Sequence, residues 1–317
     1  MSTMREKRLS LATILIAAGA SLFFSSKSVF VKCAYQHGAD YLTVLTLRMV
    51  FALPFFLITG ILSGRRRGRS PTGHQWAAMA GLGFLGYYLS SVLNFAGLAY
   101  TSAGLERIVL YSYPTLVVLG SALFLKQKLR PAVMLATVVA WLGIALAFSG
   151  EASSRIDGHS TLSLGMALVF GSALTYAAFL LLSGEMLRQV GPAVSTSGVV
   201  AFSGLFVIIH YLTQRPVAAL LAQSAPVYGW CAMLATVSTI IPSYLMGIGV
   251  ARAGAARFAI IGTRGPVMTV LLAWLMLGER VNAVQVVGFA LSLAGGLAVS
   301  LLKEPAERAA DLPISGK

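Results

Sequence analysis

An all-α integral membrane protein of ten transmembrane helices, arranged as two inverted five-helix repeats, is the fold class the sequence predicts. Three observations carry that prediction. Of 317 residues, 57% are hydrophobic and 11% charged, at a mean hydropathy of +0.81, which excludes a water-soluble globule. The apolar residues fall in ten runs of about 17 to 25 residues, each long enough to cross a bilayer as a helix. Sliding the chain on itself by 152 residues brings matching landmarks into register.

The runs cover 9–31, 41–62, 76–100, 103–125, 132–148, 162–182, 193–212, 228–250, 254–277 and 281–302. None shows the alternation of a barrel strand. The first follows the basic stretch Met4-Arg5-Glu6-Lys7-Arg8 and is expected to stay uncleaved despite Ala18-Gly19-Ala20, because cleavage there would discard half a helix. The second carries Arg48, read as a structural cation bonding freed carbonyls or phosphates. Polar side chains concentrate in the third, at Tyr87, Tyr88, Ser90, Ser91 and Asn94. The fourth opens on Glu106 and Arg107 and is interrupted by Pro114, with Tyr111 just before it. Alanines at 132, 136 and 140 in the fifth, and Gly288, Ser292, Gly296 and Ser300 in the tenth, let backbones approach closely. Both helices are expected to be scaffold. The sixth carries Tyr176 and Glu185, the eighth Pro242 and Tyr244, and the ninth Arg257, Arg264 and Pro266. Trp76 and Trp230 are expected at the interfaces, and the polar tail, 303–317, is expected to be disordered.

Charge sets orientation. The 24 Lys and Arg against 10 Asp and Glu give a net charge of +14, but these cations punctuate apolar runs, so they are read as topology signals rather than as a nucleic-acid surface. Placing both termini in the cytoplasm gathers Arg5, Lys7, Arg8, Arg65, Arg66, Arg67, Arg69, Lys126, Lys128 and Arg130 on that side. Lys32, Arg155, Arg215 and Arg280 are left outside. The 152-residue shift lays Pro114 on Pro266, Leu125 on Leu277, Gly143 on Gly295 and Leu22 on Leu174. Domains of 1–150 and 151–302 follow. Five helices is an odd number, so consecutive repeats enter the membrane in opposite senses, and a solute site is expected near the midplane between them.

The stretch Gly265-Pro266-Val267-Met268-Thr269-Val270-Leu271-Leu272-Ala273-Trp274-Leu275-Met276-Leu277-Gly278-Glu279-Arg280, followed by Gly288 and Gly295-Gly296, resembles the closing signature of EamA-type carriers in the drug/metabolite transporter superfamily. Lys27 late in the first helix and Arg48 in the second extend the resemblance over nearly the whole chain. Within the superfamily it looks most like bacterial amino-acid exporters of the aromatic amino-acid exporter type. The resemblance implies a secondary transporter of the inner membrane, exporting amino acids or similar metabolites by alternating access. The first half departs from the pattern, with Lys126-Gln127-Lys128 where Gly-Glu-Arg is usual.

A charge at bilayer depth marks function unless it snorkels or is paired. Lys27, flanked by Ser25, Ser26 and Ser28, is a candidate for a substrate carboxylate. Tyr87, Tyr88, Asn94, Tyr111, Tyr176 and Tyr244 are candidates for the rest of the solute. Glu106 and Arg107 are candidates for proton or charge coupling, and Arg257 and Arg264, seven residues apart on one helix face, for an anion-attracting vestibule. Pro114, Pro242 and Pro266 are candidate hinges. No GxxxxGK[ST] motif occurs, the four histidines are scattered, and Cys33 and Cys231 suggest neither a disulfide framework nor a metal site. No cofactor, no metal and no enzyme chemistry are expected. The expected partners are a small-molecule substrate and lipid, with a monomer the simplest assembly; a non-transporting sensor or a drug exporter is the alternative.

Overall fold

The computed structural model describes Gly19 and residues 22–124, 126, 129–154, 159–243, 245 and 265–302. The described helices are α1 (Lys27–Gln36), α2 (Tyr41–Arg67), α3 (Gly73–Leu98), α4 (Ala103–Phe124), α5 (Pro131–Ser153), α6 (His159–Val190), α7 (Pro192–Gln214), α8 (Ala225–Ser243), α9 (Gly265–Leu277) and α10 (Ala283–Leu302). A short helix, Val217–Leu221, links α7 to α8. Among the described residues, eight helices are long and apolar enough to cross a membrane, and α9 is a shorter apolar helix. Leu135 on α5, Trp274 on α9 and Val287 on α10 point outward, as side chains do when the surrounding solvent is lipid.

Local sequence sets the helix ends. Asp40 caps α2, accepting from the amides of Leu42 (2.9 Å) and Thr43 (3.2 Å). That helix stops at Gly68, whose φ of 67° suits a residue without Cβ. Thr72 with Gln75, and Asn282 with Gln285, form reciprocal caps at the starts of α3 and α10. Prolines 131 and 192 occupy the first turns of α5 and α7, where a missing amide costs nothing.

Two helices change their winding midway. In α3 the stretch Gly83–Leu89 is π-helical, and in α8 so is Thr236–Ile240. The 152-residue shift lays the second stretch on 84–88, inside the first. The break expected at Pro114 is present: α4 divides into Ala103–Leu110 and Tyr113–Phe124. Proline supplies no amide and its ring crowds the carbonyl four residues back, here Leu110, where the first segment ends. Pro242 comes two residues after the π-helical stretch, and the residues before Gly265, which would show whether Pro266 interrupts a helix, lie outside the described residues.

Packing is reciprocal about the midpoint of the chain. Helix α2 lies on α7, α5 on α10 and α4 on α9, and the α3–α6 contact has its counterpart in α8–α1. The α5–α10 seam is the tightest. A Cβ built on Gly288 would stand 2.5 Å from the amide of Ala147, and one on Gly295 2.5 Å from that of Ala140. The expected scaffold role of these helices fits, but the stripe differs. Gly296 meets only the Tyr111 ring at 3.8 Å, and Ala132 is exposed, so the seam runs through Ala136, Ala140, Gly143 and Ala147 against Gly288, Ser292 and Gly295. Trp76 is exposed, while Trp230 is partly buried against Phe30, with ring centroids 5.7 Å apart.

Candidate functional site

Three residues distant in sequence meet where α1, α3 and α4 converge. The Lys27 ammonium donates to Asn94 Oδ1 at 2.8 Å, and Asn94 Nδ2 donates to Glu106 Oε1 at 2.6 Å. Ser28 Oγ donates to the other carboxylate oxygen. Lys27 Nζ lies 3.9 Å from Glu106, whose side chain is 0% exposed. Lys27 stands about 13 Å along the helix from the end of α1, so its charge sits within the packed bundle. Glu106 belongs to the first turn of α4, where the free amides of the helix start favour an anion. Substrate and proton roles assigned separately to Lys27 and Glu106 thus fall on one bonded cluster.

The serines around Lys27 are committed to neighbouring helices. Ser26 Oγ bonds Ser238 Oγ of α8 at 2.7 Å, Ser25 Oγ donates to the carbonyl of Gly265 at 2.8 Å, and Thr269 Oγ1 donates to the carbonyl of Ser25 at 2.9 Å. Arg107 donates to the carbonyl of Phe24 at 2.8 Å. Arg48 behaves differently from the structural cation expected. It is 7% exposed, its Nε has no hydrogen-bond partner, and its guanidinium lies 5.4 Å from the Phe95 ring centroid. Lys27 Nζ approaches the same ring at 5.9 Å.

Aromatic rings continue the site away from the charges. Tyr87, Phe179, Tyr176, Tyr113 and Tyr111 form a chain with successive centroid separations of 5.4, 5.9, 5.3 and 6.0 Å. Tyr87 also lies within electrostatic reach of Arg48. Tyr88, its neighbour on the π-helical stretch, turns toward α7 instead, with Oη 3.2 Å from His210 Nδ1. Of the expected solute-facing residues, then, Tyr87, Tyr111 and Tyr176 share one wall and Tyr88 does not. Tyr244, Arg257 and Arg264, the side chain of Glu185 and the tail lie outside the described residues.

The start of α4 is tied to its neighbours by two further acids that sequence reasoning missed. Glu279 accepts from the Ala103 amide, at 3.1 and 3.0 Å to its two oxygens, and from Lys32 at 3.1 Å. Glu151 accepts from the Ser102 amide at 2.9 Å and from its hydroxyl. Both cap α4. The signal was scarcity, since the chain has only 10 acids.

The residues of the charged cluster have no polar counterparts at the repeat-equivalent positions of the sequence. The 152-residue shift places Phe179, Leu180, Val200, Met246, Phe258 and Ala259 where Lys27, Ser28, Arg48, Asn94, Glu106 and Arg107 stand.

The profile of the EamA-like transporter family matches residues 11–149 and 163–301. The chain is 34% identical over 284 residues to the uncharacterized transporter YcbK of Bacillus subtilis, covering 87% of this chain and 88% of the relative. It is 26% identical to the uncharacterized transporter sll1319 of Synechocystis, over 88% and 90% of the two chains. An uncharacterized transporter of Archaeoglobus fulgidus is 24% identical, over 90% and 94%. One solved crystal structure shares the fold with a TM-score of 0.61 at 18% identity, covering 92% of this chain and 97% of its own. An apolar multi-pass bundle, a charged cluster held inside it and a family profile matched in both halves converge: the chain belongs to the EamA-like transporter family and is a membrane transporter of small metabolites.

Proposed function

We propose that the chain is a secondary transporter that exports amino acids or similar small metabolites across the bacterial inner membrane by alternating access. Two inverted five-helix repeats, 1–150 and 151–302, with both termini and the 303–317 tail in the cytoplasm, would flank one central cavity, and a monomer without cofactor would suffice. The observation that carries this reading is the Lys27–Asn94–Glu106 cluster, charge buried in a membrane bundle and continued by the Tyr87–Tyr176–Tyr111 wall. Such a combination suits a small solute with a charged end and an apolar body. The reciprocal helix contacts and the matched π-helical stretches support the repeats. A drug-exporter reading draws on the aromatic wall, but among the described residues Lys27, Arg48 and Arg107 outnumber Glu106 and would repel a lipophilic cation.

Counterflow in proteoliposomes, with an amino-acid mixture inside and labelled single amino acids outside, tests the reading. Accumulation of label above the protein-free control is expected. Label held at that control for every amino acid, with counterflow of a lipophilic cation instead, would overturn it.

A further inference from the structure

Arg48 stands buried inside the bundle without an anion among the described residues, and that imbalance points to its ligand. A guanidinium stays charged in proteins, so a buried one requires a counter-charge or a full set of acceptors. Four acids have described side chains, and each is held elsewhere. Asp40 is held by Thr43 and Arg215, Glu106 by Lys27, Asn94 and Ser28, Glu151 by Ser102, and Glu279 by Lys32 and Ala103. What Arg48 has instead is the Phe95 ring face, itself fully buried and fixed through the Phe95 carbonyl, which accepts from Tyr35 Oη at 2.8 Å. A ring face supplies part of what a cation needs and leaves its N–H groups free to donate.

We propose that Arg48 binds the carboxylate of the transported solute, with Tyr87 beside it opening the aromatic wall for the solute's apolar body; the assignment rests on the transporter reading above. Lys27 is the less suitable partner, because its ammonium already serves Asn94 and Glu106. A guanidinium presents two parallel N–H donors, which match the two oxygens of a carboxylate. Val200 takes the repeat-equivalent position on α7, so the bundle offers one such cation on the α2–α7 pair, and one carboxylate is bound per chain. The solute class follows: monocarboxylates with an apolar or aromatic body, the amino acids with large apolar side chains among them.

The test compares acids with their methyl esters. L-phenylalanine, L-leucine and the methyl ester of each are presented as competitors in counterflow and as stabilisers of the purified protein against heat, with inorganic phosphate and sulfate as further arms. For the parent, half-saturation by the acids at a concentration at least tenfold below that of the esters is expected, with phosphate and sulfate ineffective. Arg48→Gln should weaken the acids ten- to a hundredfold and leave the esters unchanged, which erases the preference. Arg48→Lys, which keeps the charge but loses the fork, should retain the preference at reduced affinity. Equal competition by acid and ester in the parent would overturn the assignment however the variants fold, and so would an Arg48→Gln protein that keeps the parent's acid-to-ester ratio. Effective phosphate or sulfate would replace the carboxylate with a general oxyanion and overturn it as well. A parent that shows heat stabilisation by the acids, lost in Arg48→Gln, but no counterflow would sustain the site and remove the transport reading.

Discussion

Replacing Glu106 with Gln isolates the electrostatic part of the buried cluster. Asn94 cannot flip, because its Oδ1 accepts from Lys27, so it must keep presenting an N–H to residue 106. Gln meets that demand with its carbonyl oxygen and turns its amide toward Ser28, whose hydroxyl can accept as well as donate. Hydrogen bonding survives and the charge is lost. At 3.9 Å the attraction between Lys27 and Glu106 is about 4 kcal/mol for an effective dielectric of about 20. The Lys27 side chain is 18% exposed, so solvent reduces that figure. A loss of about 2–4 kcal/mol is expected, near the lower range for breaking a buried pair. Lys27→Met should also destabilise, by leaving Glu106 buried without its cation. The double variant should be less destabilised than the two single losses added together, because neither charge is stranded. Unfolding of all four proteins in one detergent gives the interaction energy through a double-mutant cycle. A coupling below about 0.5 kcal/mol would refute the argument, since that is the additivity found for residues that do not interact.

Other perturbations separate the remaining claims. Gly295→Val should destabilise by about 1–3 kcal/mol through overpacking against Ala140, whereas Gly296→Ala, which meets only the Tyr111 ring, should be close to neutral in the same unfolding assay. Half-burial alone would raise the Asp40 carboxyl, but bonds from Thr43 and Leu42 and the charge of Arg215 hold it below the usual range. Its contribution is therefore full above about pH 4 and fades as the pH falls through the lowered native value. Asp40→Ala should cost about 1 kcal/mol at neutral pH, with the gap in thermal midpoint closing in acid; a gap independent of pH would contradict this. In counterflow, Tyr87→Ala should reorder the preference among large and small side chains while Tyr88→Ala leaves it intact, since only Tyr87 belongs to the wall ending at Tyr111. Reporter fusions after Arg67 and Lys128 should read as cytoplasmic and those within 151–160 as external; a cytoplasmic signal from 151–160 would undo the inverted arrangement.

Span-length hydropathy and helix-breaking prolines are local properties, which is why the eight long apolar helices and the break before Tyr113 were legible in the sequence. The small-residue seam was legible in kind but off by one residue, at Gly295 rather than Gly296, because spacing of four does not say which side of a helix meets its partner. The site was harder. Lys27 and Glu106 are separated by 78 intervening residues, and nothing in either run announces that Asn94 joins them. Arg48 carried a structural reading because sequence cannot reveal a missing partner. Tyr87 and Tyr88 were grouped by adjacency, although neighbouring helical residues point about 100° apart and these two face different helices.

The π-helical stretches have a consequence for phase. A π turn takes up an additional residue, so the two ends of α3 are rotated relative to the course of a continuous α-helix by about one residue, or about 100°. That offset lets Trp76 address Phe202 near one end while Asn94 addresses Lys27 and Glu106 near the other. Deleting a single residue between Gly83 and Leu89 would restore α winding and leave Asn94 facing both of its partners, whereas imposing α winding on the stretch at its full length would turn Asn94 away from them.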